Sequence, residues 1–132
     1  MDLEILNIAS NTDNNRNVKN HTHNSKLKNS LCGDEVKLEL IIENDKIIDF
    51  GYQGNSCIYC QASASLLSQI SINNEKNKIK KLCNEAKFLF DDKSKYMKKK
   101  WFLLRKLFKK KNISRKECIL LPFETLKKIV SK

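Results

Sequence analysis

No stretch of this sequence approaches the roughly 18 to 20 apolar residues that a membrane-spanning helix requires, so no membrane span is expected. The opening MDLEILNIASNTDN has no basic stretch followed by a cleavable apolar core, so no secretory signal is read and a cytoplasmic location is expected. Arginine is scarce: Arg16, Arg105 and Arg115 are the only ones among 26 Lys plus Arg. Lysine reads base edges poorly beside arginine, and no recognition-module signature is present, so specific nucleic-acid binding is not expected. Proline occurs once, at Pro122, and histidine twice, at His21 and His23. A disulfide framework is also disfavoured, because the five cysteines (Cys32, Cys57, Cys60, Cys83 and Cys118) are odd in number and widely scattered. Thiols used for metal binding or reactivity are the better reading.

The chain has 132 residues, 40% of them apolar, which suits one domain able to bury a core without covalent staples. Its net charge of +11 sets up a positive field that speeds encounter with an acidic partner. Residues 2–10 place Leu3, Ile5, Leu6 and Ile8 at mixed helical spacing behind an acidic first turn, which predicts an N-terminal helix. Residues 11–30 are polar, and read as a loop or a loosely held edge strand. Val36–Glu43 and Lys46–Tyr52 alternate around Asn44–Asp45, so a β-hairpin is expected over 36–52. Beyond it the period changes. Helices are expected over Cys57–Ile72, 75–90, Tyr96–Phe108 (with Met97, Trp101, Leu104 and Phe108 on one face) and Arg115–Val130. Pro122 is tolerable if it falls in the first turn of that last helix. The fold class is therefore α+β: a small antiparallel sheet packed against several helices, with 31–132 as the core.

Three segments carry cysteine beside chemistry-bearing neighbours: LCGD at 31–34, SCIYC at 56–60 and KECI at 116–119. In a hairpin the start of one strand lies beside the end of the other, so Cys32 and Asp34 are brought near Cys57. Cys57 at the opening of a helix would sit where unpaired N–H groups favour its thiolate. If Cys118 arrives from the last helix, it completes a set of three thiolates and a carboxylate. Zinc accepts such a set, and thiolate-rich sites also suit iron–sulfur clusters.

LCGDEVKLEL, the glycine-to-cysteine stretch leading into QASAS, and RKECILLPFETL resemble the three cysteine segments of the U-type iron–sulfur cluster assembly proteins. This is the IscU/SufU family, also found as the N-terminal domain of NifU. The resemblance covers about residues 28–130. It implies that Cys32, Cys57 and Cys118 are the zinc or cluster cysteines, and that Asp34 is the aspartate whose carboxylate can ligate metal and keep a bound cluster labile. Arg115 resembles the basic residue near the last cysteine in the SufU branch. The long interval from Cys57 to Cys118 looks like the SufU-type insertion. Glu117 stands where the IscU branch has histidine, and that branch's proline-rich chaperone motif is absent.

By this resemblance the protein takes part in iron–sulfur cluster biogenesis, as a sulfurtransferase-type carrier or scaffold rather than a conventional enzyme. As a carrier it would accept persulfide sulfur at Cys32 from a SufS-like cysteine desulfurase, with zinc on Cys32, Asp34, Cys57 and Cys118. As a scaffold it would assemble a transient [2Fe-2S] cluster on the same residues and pass it to an acceptor apoprotein or carrier. A reading from another class is a small zinc-stabilised binding protein without sulfur transfer.

Other features admit plainer explanations. Cys60 is either a buried helical cysteine or an accessory thiol one turn from Cys57, and Cys83 lies on an apolar helical stripe and reads as core. His21 and His23 read as loop residues without a cysteine partner. KYMKKKWFLLRKLFKKK reads as a packed helix with a solvated lysine face, as a helix on an anionic membrane surface, or as one docked on an acidic patch. CIYC resembles a glutaredoxin site, but that fold needs a proline-led strand well after the motif. The single proline, after Leu121, and the helical reading of 75–110 argue against it.

Overall fold

Asn44 and Asp45 both take left-handed backbone conformations, with φ of 52° and 62°. Two consecutive positive φ values make the turn that matches the twist of a tight hairpin, and Asn and Asp tolerate them better than other non-glycine residues. This turn joins β2 (Glu35–Glu43) to β3 (Lys46–Gln53), and β1 (His23–Lys28) completes an antiparallel sheet in the order β1-β2-β3. The expected hairpin is present, and the edge strand falls inside the polar segment. The computed structural model describes residues 2–90 and 99–131, and the side chains of 99–102 are not described.

Val36, Leu38 and Leu40 point to one face of the sheet, opposite Tyr52 and Phe50, and all five are buried. On this face lie α2 (Ile58–Ser71), packed on β3, and α4 (Lys116–Val130), packed on β1 and β2. Two more helices, α1 (Leu3–Ala9) on α2 and α3 (Lys76–Glu85) on α4, close the core. The other face is covered by the polar segment: Val18 is buried there and its N–H donates to Glu39 at 2.9 Å, while Arg16 pairs with Asp49 at 2.7 Å. The outer edge of β3 is covered by the turn into α3, where Asn73 N–H donates to the Ile47 carbonyl. Exposed Lys26 and Lys28 line the edge strand β1, and charged side chains oppose pairing with another chain.

The small residues of α2 permit close contact on nearly every side: Ala62, Ser63, Ala64, Ser65 and Ser68 are all buried. Their hydroxyls have partners, as buried polar groups must. Ser65 Oγ donates to the Asn11 carbonyl at 2.8 Å, and Ser63 Oγ to the Ile119 carbonyl at 2.6 Å.

Two expectations are corrected. Pro122 is interior to α4 and buried, not in its first turn. A proline there withholds a donor from the carbonyl four residues back and crowds that turn. The carbonyl concerned is that of Cys118, and the Ser63 hydroxyl of α2 donates to the next one, Ile119. Second, the continuous helix over Tyr96–Phe108 is not seen. Its beginning, with Met97, and the Trp101 side chain lie outside the described residues, while Lys99–Lys106 forms a 3-10 helix. No acidic residue occurs between Lys93 and Lys116, so the polar side of such a helix would hold like charges three and four apart, which disfavours it. Leu104, Leu107 and Phe108 still enter the core. Among the described residues no helix is long and apolar enough to cross a membrane.

Candidate metal centre

The loop between β1 and β2 is closed by one residue, Asn29. Its N–H donates to the Asp34 carbonyl and its carbonyl accepts from the Gly33 N–H, both at 2.8 Å. Its side-chain oxygen accepts from the N–H groups of Leu31 at 2.8 Å and Cys32 at 3.4 Å. Asn favours this local turn because its amide oxygen reaches backbone donors two and three residues ahead. Gly33 completes it with φ of 78°, a conformation that a side chain resists. Cys32 is left exposed on the loop while Asp34, two residues on, is buried.

A second tie brings the start of α2 to the same place. The Glu35 N–H donates to the Asn55 carbonyl at 3.0 Å. Gly54 passes so close to the Glu35 carbonyl that a β-carbon would collide with it, and its φ of 150° also suits glycine. Cys57 is the N-terminal cap of α2, yet its own side chain caps nothing. The capping role passes to Asp34, whose Oδ1 accepts from the Cys57 N–H at 3.1 Å. The other oxygen, Oδ2, is buried without a hydrogen-bond partner.

The third segment arrives with α4, whose first turn carries Cys118, buried, with its Sγ 3.8 Å from that of Cys32. The ligand atoms of Cys32, Asp34 and Cys118 all lie within 4.8 Å of one another. The Cys57 sulfur is not part of this close group. It neighbours Cys118 nonetheless, for burial pushes the Cys118 thiol up and Cys57, Asp34 and Cys32 push it further. Two carboxylate oxygens with one donor, and thiols crowded against each other and an acid, form a set that a cation would satisfy.

Other residues singled out in the sequence fall as follows. Cys60 is fully buried one turn into α2, and burial pushes its thiol up to about 12. Cys83 lies in the core on α3, also pushed up to about 12 by burial. Arg115 precedes α4, and its guanidinium sits 5.4 Å from the centre of the Tyr59 ring, the distance of a cation–π contact. His21 Nδ1 lies near the Val18 carbonyl and Glu39, and His23 Nδ1 contacts Thr22 Oγ1, so neither joins the cysteines. Asn29 and Tyr59 were not foreseen. For Asn29 the signal was available: an Asn three residues before Cys-Gly is a turn signature. For Tyr59 there was none, since only the fold brings it under Arg115.

Residues 3–95 match the family model described as NifU-like N terminal domain. Over 59 residues the chain is 39% identical to the iron-sulfur cluster assembly scaffold protein IscU of Thermotoga maritima; the match spans 45% of this chain and 42%, less than half, of that relative. An uncharacterized protein of Borreliella burgdorferi is 28% identical over 118 residues, 86% of this chain and 79% of that one. Among solved structures, the putative iron-sulfur cluster assembly scaffold protein for SUF system from Fervidobacterium islandicum AW-1 superposes with a TM-score of 0.85 at 22% identity, over 98% of this chain and 96% of that one. The nitrogen-fixing NifU-like protein (N-terminal) from Brucella abortus gives a TM-score of 0.85 at 17% identity, over 98% and 91%. At these identities the two structures establish a shared fold.

Proposed function

This chain belongs to the NifU-like N-terminal domain family, an iron–sulfur cluster assembly family of the IscU and SufU kind, and from that premise we propose that it accepts sulfur at Cys32 from a persulfide carried by a cysteine desulfurase. Cys32, Asp34, Cys57 and Cys118 would hold zinc in the resting protein. The observation that supports this best is the close group of Cys32, Asp34 and Cys118, drawn from separate segments, with Asp34 Oδ2 buried and unpartnered. Three thiolates and a carboxylate are a donor set that zinc takes with four-coordinate geometry, and bound zinc would keep its cysteines as thiolates.

Cys32 is the exposed member of the group, so it is the one that an incoming protein can reach. Its thiolate attacks the outer sulfur of the donor's persulfide. A bond forms between Cys32 Sγ and that sulfur as the donor's S–S bond breaks, and the electron pair leaves with the donor cysteine as a thiolate. Any proton on the outer sulfur travels with it, and no net oxidation or reduction occurs.

A second reading uses the same residues as a scaffold on which a transient [2Fe-2S] cluster is cargo, passed on to an apoprotein or a carrier. The single oxygen donor among thiolates favours it, since a carboxylate holds soft iron–sulfur species less firmly than cysteine does. Metal and acid-labile sulfide content of protein purified without oxygen separates the two. One zinc per chain without sulfide, lost in Cys32→Ser, Cys57→Ser and Cys118→Ser but kept in Cys60→Ser, supports sulfur transfer. Iron with matching sulfide supports the scaffold. Zinc without any sulfur accepted from a desulfurase leaves a zinc-stabilised binding protein, and no metal under any condition rejects the site.

A further inference from the structure

Leu31 is 85% exposed, the most exposed of the large apolar side chains among the described residues. It lies beside Cys32 on a loop that is not free to fold it away. The Leu31 N–H is held by the Asn29 side chain at 2.8 Å, the Gly33 N–H by the Asn29 carbonyl at 2.8 Å, and the sheet clamps both ends. A solvated leucine gains nothing for the fold. Fixed in space next to a reactive thiol, it has the form of an interface anchor, whose ordering is complete before a partner arrives.

The charge around it has one dominant sign. Lys28 is exposed immediately before the loop, Arg115 is exposed over Tyr59, and Lys116 opens the helix that carries Cys118. Of the nearby acids, Glu35 is paired with Lys26, Asp34 is buried, and Glu117 stands between Lys116 and Cys118. We propose that Leu31 and the cations Lys28, Arg115 and Lys116 form the docking face for the sulfur donor. Leu31 seats in an apolar pocket at the mouth of the donor's persulfide site, and the cations meet an acidic rim. This rests on the sulfur-acceptor reading above. A protein is the occupant because one projecting leucine fits a pocket, whereas a lipid surface takes up a broad apolar helix face. The net charge of +11 adds long-range attraction.

The experiment uses the full chain, a SufS-type cysteine desulfurase charged from 35S-labelled L-cysteine, and glutathione persulfide as a small donor. Wild type is compared with Leu31→Ser and with Lys28→Gln/Lys116→Glu for desulfurase binding, 35S transfer and metal content. Leu31→Ser is expected to weaken binding and transfer about tenfold, the loss typical of an anchor, with metal content and glutathione persulfide uptake unchanged. The double variant is expected to bind more weakly at low salt and to respond less to added salt. Wild-type binding and transfer in Leu31→Ser overturn the proposal and leave the sulfur-acceptor reading intact. Leu31-dependent binding without any sulfur uptake, from either donor, rejects that reading and leaves the docking face standing. Leu31-dependent association with phosphatidylglycerol vesicles in place of the desulfurase overturns the proposal.

Discussion

The sulfur atoms of Cys32 and Cys118 stand 3.8 Å apart although 86 positions separate them in the chain. The Asn29 turn brings one and the first turn of α4 the other, so their distance reports on the assembled fold and not on either segment alone. Asp34 is the third member of that group, and it carries the first prediction. If the site holds a cluster as cargo, Asp34→Ala removes the one oxygen donor and prolongs its lifetime. The decay of visible absorbance in air measures this, and an unchanged lifetime counts against the scaffold reading.

Cys60 and Cys83 should be chemically silent. Both are buried with thiols near 12, so almost none is thiolate at neutral pH, whereas Cys32 is exposed. Iodoacetamide added to metal-free native protein at pH 8 is expected to label Cys32 first, with Cys60 and Cys83 reacting only after denaturation. Mass spectrometry of the digested protein reads this directly.

Ser63→Ala tests the tie between α2 and α4. The variant removes the buried 2.6 Å hydrogen bond from Ser63 to the Ile119 carbonyl, and an intramolecular hydrogen bond of this kind contributes about 0.5 to 1.5 kcal/mol. A lowered Tm with an unchanged circular dichroism spectrum is the expected result. A Tm equal to wild type would mean that the hydroxyl contributes nothing there.

Stability should fall in acid through Glu39. Its carboxyl is held below the ordinary 4.5 chiefly by the Val18 N–H, with the charges of His21 and Lys37 adding to the effect. A depressed folded value means that the unfolded chain binds the proton more readily. The stabilisation is therefore present above about pH 4.5 and is lost as the pH drops below it, through the folded value. Glu39→Gln should be less stable than wild type at pH 7 and should show a shallower loss on acidification, measured by urea denaturation across the range.

Much of this arrangement was legible in the sequence. Asn44–Asp45 announces the hairpin, and the hairpin alone brings the backbones of Cys32 and Asp34 near that of Cys57, so the neighbourhood of three of the four candidate ligands followed from strand pairing. The small residues of α2 announce a helix buried on most sides. What was not legible depends on contacts made at a distance. Pro122 reads as a helix start because local propensity does not reveal that tertiary packing of Ile119, Leu121 and Phe123 in the core carries the helix through it. Leu104, Leu107 and Phe108 fall at spacings that an α-helix would also satisfy, although Lys99–Lys106 is a 3-10 helix. Tyr59 looks like any residue of a first turn until Arg115 is folded above it. The position of the Cys57 sulfur, outside the close group, was equally hidden, because strand geometry places its backbone and not its side chain.

Asp34 divides its two oxygens between tasks, one on the Cys57 amide and one free. The amide hydrogen of a single residue is thus wired to the contents of the site. Whatever pulls on the free oxygen lengthens or tightens the bond to the other. Deuterium exchange at the Cys57 amide, outside the helical ladder, then reports occupancy from the protein's own backbone and without any spectroscopic label.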